Sequence, residues 1–388
     1  MNTQNTPVHV NLWHREFWLM AVSSLLLTMS IYMLVPVMPQ WLMQTEHFTP
    51  EETGYSMGAF ALGLYLFGGP CSWLVQRFRR NVICMHAVMT VGLAIGLLWY
   101  IDGLRSEFVE FWIILLQRLV LGAAFGLAQM VLSSTLIIDT CESFQRTEAN
   151  FSASWFTRFA LSLGPLAGLL AYQFGFHVVL VLAMVLAVVS LLLIKIVKFP
   201  FRTPEEGVHV MSLDRFFLPH GFALFVNLLL VSIVVGLLLS LPLQPVFYSL
   251  MMGGFLLALL AQRFVFRDAE LKSEVLTGLI LMVAALLILR GYPTSPVSPV
   301  LIGLGVGIIG SRFLLFFIKL SRHCQRGTSQ STCFLGWETG LSLGVGLGYL
   351  VFYKQPDLLI CTALALTIAA LLMYHFFTHS WFVRNKNR

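Results

Sequence analysis

"GLSLGVGLG" (Gly340–Gly348) follows "ALSLGPLAG" (Ala160–Gly168) at a distance of 180 residues, and the same register lays Gln325-Arg326 over Gln145-Arg146. Upstream, Gly303 and Gly307 fall over Gly122 and Gly126 at an offset of 181, and "LAQRF" (Leu260–Phe264) over "LVQRF" (Leu74–Phe78) at 186. Three patches in one order, two of them with loop arginines, mark an internal duplication rather than chance likeness among apolar segments. Each copy has room for six helices, so the chain divides into two halves of like orientation. The first is residues 1–198 and the second 217–388, with a polar linker at 199–216.

Composition names the solvent. The chain is 58% hydrophobic and 11% charged, with a mean hydropathy of +0.83. A water-soluble domain of 388 residues would need more charge to cover its surface. Apolar stretches of the length that crosses ~30 Å of hydrocarbon as helix recur throughout, and no two-residue alternation suggests a barrel. Twelve spans are predicted at 17–42, 54–75, 82–101, 111–138, 150–173, 177–197, 217–240, 245–266, 273–290, 298–320, 331–353 and 357–377. The polar Met1–Glu16 precedes a first apolar segment too long for a cleaved signal, which reads as a retained helix. The fold class is all-α integral membrane, two pseudo-symmetric six-helix halves.

The net charge of +6 describes topology rather than a nucleic-acid partner. Twelve spans put both termini on one face. Eighteen Lys and Arg residues fall on that face, among them Arg202, Arg267 and Arg388, against Arg105, Arg290 and Lys354 opposite. The acids Glu46, Glu51, Glu52, Asp102, Glu107, Glu110 and Asp357 lie on the opposite side. Such a bias predicts cytoplasmic termini in the inner or plasma membrane, with lipid as the surrounding partner. The six cysteines form no C-x-x-C and no spacing with His that suits a metal. Phosphate loops, acidic clusters and nucleophile elbows are missing too, so no metal, cofactor or enzymatic activity is expected.

Several stretches are similar to motifs of the major facilitator superfamily. "GPCSWLVQRFRRNVI" (Gly69–Ile83) resembles the family's loop between helices 2 and 3, with Arg77 and Arg80 in place but Gln76 where an acid is usual and Arg79 where a glycine is usual. "RLVLGAAFG" (Arg118–Gly126) resembles its helix-4 motif. "LGPLAG" (Leu163–Gly168) resembles the helix-5 motif of proton-coupled exporters, with Leu169 replacing a second glycine, and "YMLVPVMPQWL" (Tyr32–Leu42) looks like helix 1 of the drug:proton antiporter branch. The resemblance implies a monomeric secondary transporter that moves a small molecule by alternating access, with proton-coupled export as the first expectation. Uptake of an anionic metabolite, or a transporter-like receptor or lipid-handling protein, is the alternative. It further implies that helices 5 and 11 lie where the halves meet, and that Arg77 and Arg80 latch one face through Asp139 or Glu142, with Arg263 as the mirror.

The intramembrane charges are the candidates for chemistry. Glu338 lies ~11 Å inside helix 11, Arg118 ~10 Å inside helix 4, and Arg312 ~10 Å from the terminal face of helix 10. Arg158 in helix 5 matches Glu338 through the repeat. An ionised carboxyl at that depth needs a cation beside it, or it takes a proton. Three roles for Glu338 are therefore open: a permanent salt bridge with Arg312, a proton-coupling site, or a direct substrate contact. Arg118, Tyr32, Gln129, Asn227 and Trp337 are candidates for the wall of a substrate cavity. Gly164, Pro165 and Gly168, with Gly340, Gly344 and Gly348, let helices approach closely, as simple packing or as a seam between the halves.

Overall fold

The structure is a computed structural model that describes residues 11–104, 110–199, 207, 209–266, 270–322 and 325–386. Arg105, Glu107, Arg202, Arg267 and Arg388, which enter the charge count above, lie outside the described residues. The rest forms helices α1 (Arg15–Gln44), α2 (Pro50–Leu66 with Gly68–Arg77), α3 (Arg80–Leu104), α4 (Phe111–Asp139), α5 (Arg146–Tyr172) and α6 (Phe176–Ile196). After the linker come α7 (Pro219–Leu239), α8 (Pro245–Phe264), α9 (Leu271–Gly291), α10 (Val297–Leu320), α11 (Arg326–Leu350) and α12 (Pro356–Asn385). Among the described residues, nine of these are long and apolar enough to cross a membrane, and ten if the bent α2 counts as one span. The two that fall short are α5 and α11, the pair that carries Arg158 and Glu338.

Proline and capping set the ends and bends. Pro36 has no N–H for the Tyr32 carbonyl four residues back, and α1 breaks at Met33 between two helical pieces. Pro70 stands in the same relation to Leu66, and α2 bends there by 44°. The start of α2 is a capping box: the Thr49 hydroxyl accepts from the Glu52 N–H at 3.2 Å, while the Glu52 carboxylate accepts from the Thr49 N–H at 2.9 Å. α4 passes through one wider π turn at Leu132–Leu136 before it ends at Asp139.

Within the first six helices α1 packs on α5 and α6, α2 on α4, and α3 on α4 and α6. Within the last six α7 packs on α11 and α12, α8 on α10, and α9 on α10 and α12. Glycines set the closest approaches at matching places: Gly63 meets Gly122 between α2 and α4, and Gly254 meets Gly303 between α8 and α10. The outer helices present large apolar side chains outward, such as Leu93 on α3, Val188 on α6, Ile280 on α9 and Phe376 on α12. α6 has the highest mean hydropathy, 3.0. That is the pattern expected where the solvent is lipid and every backbone group is satisfied inside its own helix.

The six helices of each group meet mainly where α2 packs on α11 and α5 on α8. Toward the face opposite the termini, a Cβ at Gly54 of α2 would meet the Gly346 carbonyl of α11 at 2.8 Å. Deeper in, the Ser342 hydroxyl donates to the Met57 carbonyl at 2.8 Å, and Tyr65 and Thr339 share a hydrogen bond of 2.8 Å. The Ser162 hydroxyl of α5 donates to the Tyr248 carbonyl of α8.

Of the two readings of the predicted glycines, packing and seam, the contacts match packing. Gly164 and Gly168 of α5 sit against Tyr32 and Met33 of α1, and Gly340, Gly344 and Gly348 of α11 against Ser232, Ile233 and Ser240 of α7 or beside it. They tighten packing inside each group of six, as Pro165 does by lying buried in α5. Glycines that do touch across the groups are others: Gly54 meets Gly346, Gly327 of α11 lies against Ser134 of α4, and Gly310 of α10 against Arg158 of α5.

The linker is also more than a tether. Its described part packs into the face that carries the termini, with the Phe216 ring edge-on to Tyr65 of α2 and the Leu218 N–H donating to the Thr332 hydroxyl of α11 at 2.8 Å.

Candidate functional site

A central cavity of about 90 Å³ lies between α1, α4, α5, α7, α10 and α11. It extends from Tyr32 and Glu338 toward Ile137 and Gln330, that is, toward the terminal face. α5 and α11 face it, which explains why these two helices are too polar to pass as simple spans. A water molecule takes up ~30 Å³ of liquid and pockets for drug-sized ligands are ~300 Å³ or more, so in this conformation the cavity suits only a very small occupant. A larger cargo requires the helices to separate.

Glu338 is 4% exposed and accepts a hydrogen bond of 2.5 Å from the Tyr32 hydroxyl. Among the described residues no Lys, Arg or His makes an ion pair with it. The break at Met33 is what brings Tyr32 to it, at the last turn of the first piece of α1. Gln129 of α4 is held by α1 on two sides: its amide donates to the Thr28 hydroxyl at 2.7 Å, and its carbonyl accepts from the Ser24 hydroxyl at 3.3 Å. Trp337 lines the same space.

Arg158 also lines the cavity, so the repeat-matched pair does converge on one site. Its guanidinium lies over the Trp155 ring at 5.1 Å, and its Nη1 is buried with no hydrogen-bond partner. Gly310 of α10 makes room for it, because a Cβ there would come within 2.8 Å of Arg158 Nε. Cys333 of α11 is a further wall residue and was not singled out by sequence reasoning.

Three predicted site residues lie elsewhere. Arg312 forms an ion pair with Glu274 of α9, so it is no partner for Glu338. Azimuth decides this: two residues beyond Gly310 is about 200° round the helix, which turns Arg312 away from the cavity. Arg118 shares a stripe of α4 with Gln129 but lies ~16 Å nearer the opposite face. There its guanidinium, 3% exposed, sits 5.0 Å from the Phe60 ring centre, with Nε and Nη1 unpartnered. Asn227 donates to the Ala370 carbonyl at 3.0 Å and ties α7 to α12; its neighbour Leu228 is the one that faces the cavity.

The latch residues divide as well. Arg80 and Asp139 form an ion pair between the start of α3 and the end of α4, both within the first six helices. Arg77 is exposed, Gln76 is partly buried, and Arg263 opens onto a separate crevice between α5 and α8. Contacts that cross between the two groups at this face come from the linker and from Gly327 of α11, where an added Cβ would meet the Ser134 carbonyl of α4 at 2.9 Å. Asp214 accepts from the Ser72 hydroxyl of α2 at 3.2 Å and from the Thr328 hydroxyl of α11 at 3.0 Å. Arg215, in a left-handed backbone conformation at φ 58°, donates its N–H to Thr328 at 2.8 Å and its Nη1 to the Thr135 hydroxyl of α4 at 3.0 Å. No periodicity in the linker announces this; the adjacent Asp-Arg pair in an otherwise plain segment was the one available sign.

The comparison with known structures agrees with this architecture. The human organic anion transporter MFSD10 (TETRAN) superposes with a TM-score of 0.66 at 15% identity, over 92% of this chain and 98% of its own. A variant of the E. coli fucose:proton symporter FucP gives 0.65 at 13% identity over 94% and 98%. An auto-inhibited POT family peptide transporter gives 0.66 at 12% identity over 97% and 98%. At such identities these likenesses show the fold alone. No curated protein sequence matches the chain. The profile of the Major Facilitator Superfamily matches residues 20–345, which is most of the sequence, and with the two groups of six helices around one cavity it settles kinship: the chain belongs to the major facilitator superfamily.

Proposed function

We propose that this membrane transporter is proton-coupled, with Glu338 as the proton carrier and the central cavity as the cargo site. The observation that carries the reading is the state of Glu338, a buried carboxyl in the cavity whose partner is a tyrosine hydroxyl and not a cation. A group so placed exchanges one proton as its surroundings change, whereas a salt-bridged acid stays ionised. Direction follows from the sign of the cargo. A cation displaces the proton and is exported against it, as the antiporter-like motifs of helices 1 and 5 suggest; an anion brings the proton with it and is taken up. The linker contacts of Asp214 and Arg215, with the Arg80–Asp139 pair behind them, serve as the gate on the terminal face, which the charge bias of the loops assigns to the cytoplasm.

Glu338→Gln tests the coupling, since it keeps size and hydrogen bonding but removes the titration. In proteoliposomes the variant is expected to exchange labelled cargo across the membrane yet fail to accumulate it under an imposed pH gradient. Accumulation equal to the parent's at every pH from acid to neutral would remove Glu338 from the proton path.

A further inference from the structure

We infer that the cargo is a small organic anion whose oxyanion group docks on the Arg158 guanidinium, and that it crosses together with a proton. The second half rests on the proposed role of Glu338; the first half does not.

Among the described residues, Arg158 is the one Lys or Arg in the cavity wall and Glu338 the one acid. Burying a guanidinium without a counter-ion is costly, and a structure normally offsets that cost with an acid or a full set of acceptors. Here neither is present: the ring of Trp155 covers one face, Gly310 leaves the group room, and Nη1 points at no acceptor. Arg312, by contrast, has its acid in Glu274. The guanidinium is thus a rigid fork held ready to donate two parallel hydrogen bonds to a carboxylate-like group. The remaining wall has the composition of a small-molecule site, with Trp337 and Phe334 for an apolar body, while the Thr28 and Thr157 hydroxyls already donate to the Ser24 and Ser154 carbonyls.

Charge then sets the partner of the anion. The ionisable groups around Glu338 are Tyr32 from α1, Arg158 from α5 and Cys333 on α11 itself, with Tyr65 from α2 tied to the neighbouring Thr339. α4, α7 and α10 contribute Gln129, Leu228, Gly310 and Leu314, none of which carries charge. One guanidinium balances one negative charge. An anion on Arg158 and an ionised Glu338 would leave a net negative charge in a small apolar space, so anion and proton are favoured together.

The test uses the purified full chain and matched probes: benzoate and phenylacetate, their primary amides, and the corresponding amines. At millimolar concentration the carboxylates should raise the melting temperature while amides and amines do not. Arg158→Gln should weaken carboxylate binding by about tenfold or more, a charged hydrogen-bonded pair being worth 1.5–3 kcal/mol. Arg158→Lys should keep part of it. If the Gln variant does not fold, the rate at which anionic and cationic methanethiosulfonates modify Cys333, as the sole cysteine, gives the same answer, with the anionic reagent expected to be faster. A preference for amines or amides, stabilisation by no carboxylate, unchanged carboxylate binding by Arg158→Gln, or faster cationic modification would overturn the assignment. In proteoliposomes a carboxylate gradient should drive proton entry into the lumen. Carboxylate flux without protons would sink the Glu338 reading and leave the Arg158 anchor, whereas amine-driven proton release would sink the anion and leave the carrier.

Discussion

Among the described residues two glutamates are buried, and their surroundings differ. Glu274 of α9, 1% exposed, lies against the Arg312 guanidinium. Glu338 of α11, 4% exposed, has a tyrosine hydroxyl. The first pair joins α9 to α10 within the last six helices and touches nothing in the central cavity. The second joins α11 to α1 across the two groups of six, at the cavity wall. A buried ion pair resists titration and holds its helices together, while a buried acid with a neutral partner is free to change its charge. In the proposed mechanism assembly and coupling thus fall to different carboxyls, and Arg312 serves the structural one.

The largest effect should come from breaking the structural pair. Arg312→Ala leaves Glu274 buried without a counter-charge, a change that typically costs 3–5 kcal/mol, and should show as a large loss of folded protein by size-exclusion fluorescence. Glu274→Gln with Arg312→Gln, which removes both charges, should recover much of it. Normal yield from Arg312→Ala would mean that the pair is incidental, and the contrast with Glu338 would lose its basis.

Glu338→Gln should do the opposite. Its hydrogen bond with Tyr32 persists with the hydroxyl still donating, so melting temperature should move little, within the ~1 kcal/mol of one neutral hydrogen bond. Accumulation of cargo should fall to the level of passive exchange. A variant that misfolds as badly as Arg312→Ala would make the two glutamates equivalent. The reversed pair Glu338→Arg, Arg312→Glu offers no rescue here, because those side chains do not meet.

The comparison also shows what the sequence could disclose. Helix number, the duplication and the convergence of Arg158 with Glu338 all follow from one-dimensional spacing, because equivalent positions in parallel repeats occupy equivalent depths. Depth is a rise per residue and is read directly. Which way a side chain points is a rotation of 100° per residue, and a single uncertain contact face changes its neighbour altogether. That is why Arg312 is paired with Glu274 rather than Glu338, and why Arg118 and Asn227 stand on cavity helices without lining the cavity. A small-residue stripe likewise states that some helix comes close without naming it. The linker fails differently: its contacts use backbone N–H groups and short hydroxyl side chains, which carry no periodic signal.

That linker gives the smallest effect and the last contrast, between Asp214 and Arg77. Both belong to segments at the terminal face, yet Asp214 bonds Ser72 and Thr328 across the two groups of helices, while the Arg77 side chain is exposed. The Asp214 carboxylate is 44% exposed, so its bonds compete with water and fall at the lower end of their usual range, about 1 kcal/mol in all. A bias of that size shifts an equilibrium between closed and open terminal faces by roughly fivefold, since 1.4 kcal/mol corresponds to tenfold. Asp214→Ala should therefore speed the modification of Cys333, as the sole cysteine, by a thiol reagent applied from the terminal side by several-fold. Thr328→Ala should do the same, and the two together little more, because both remove one shared pin. Arg77→Ala should leave the rate unchanged. If Arg77→Ala accelerates modification and Asp214→Ala does not, the gate belongs to the loop after α2 that the motif marks, and the linker merely rests against it.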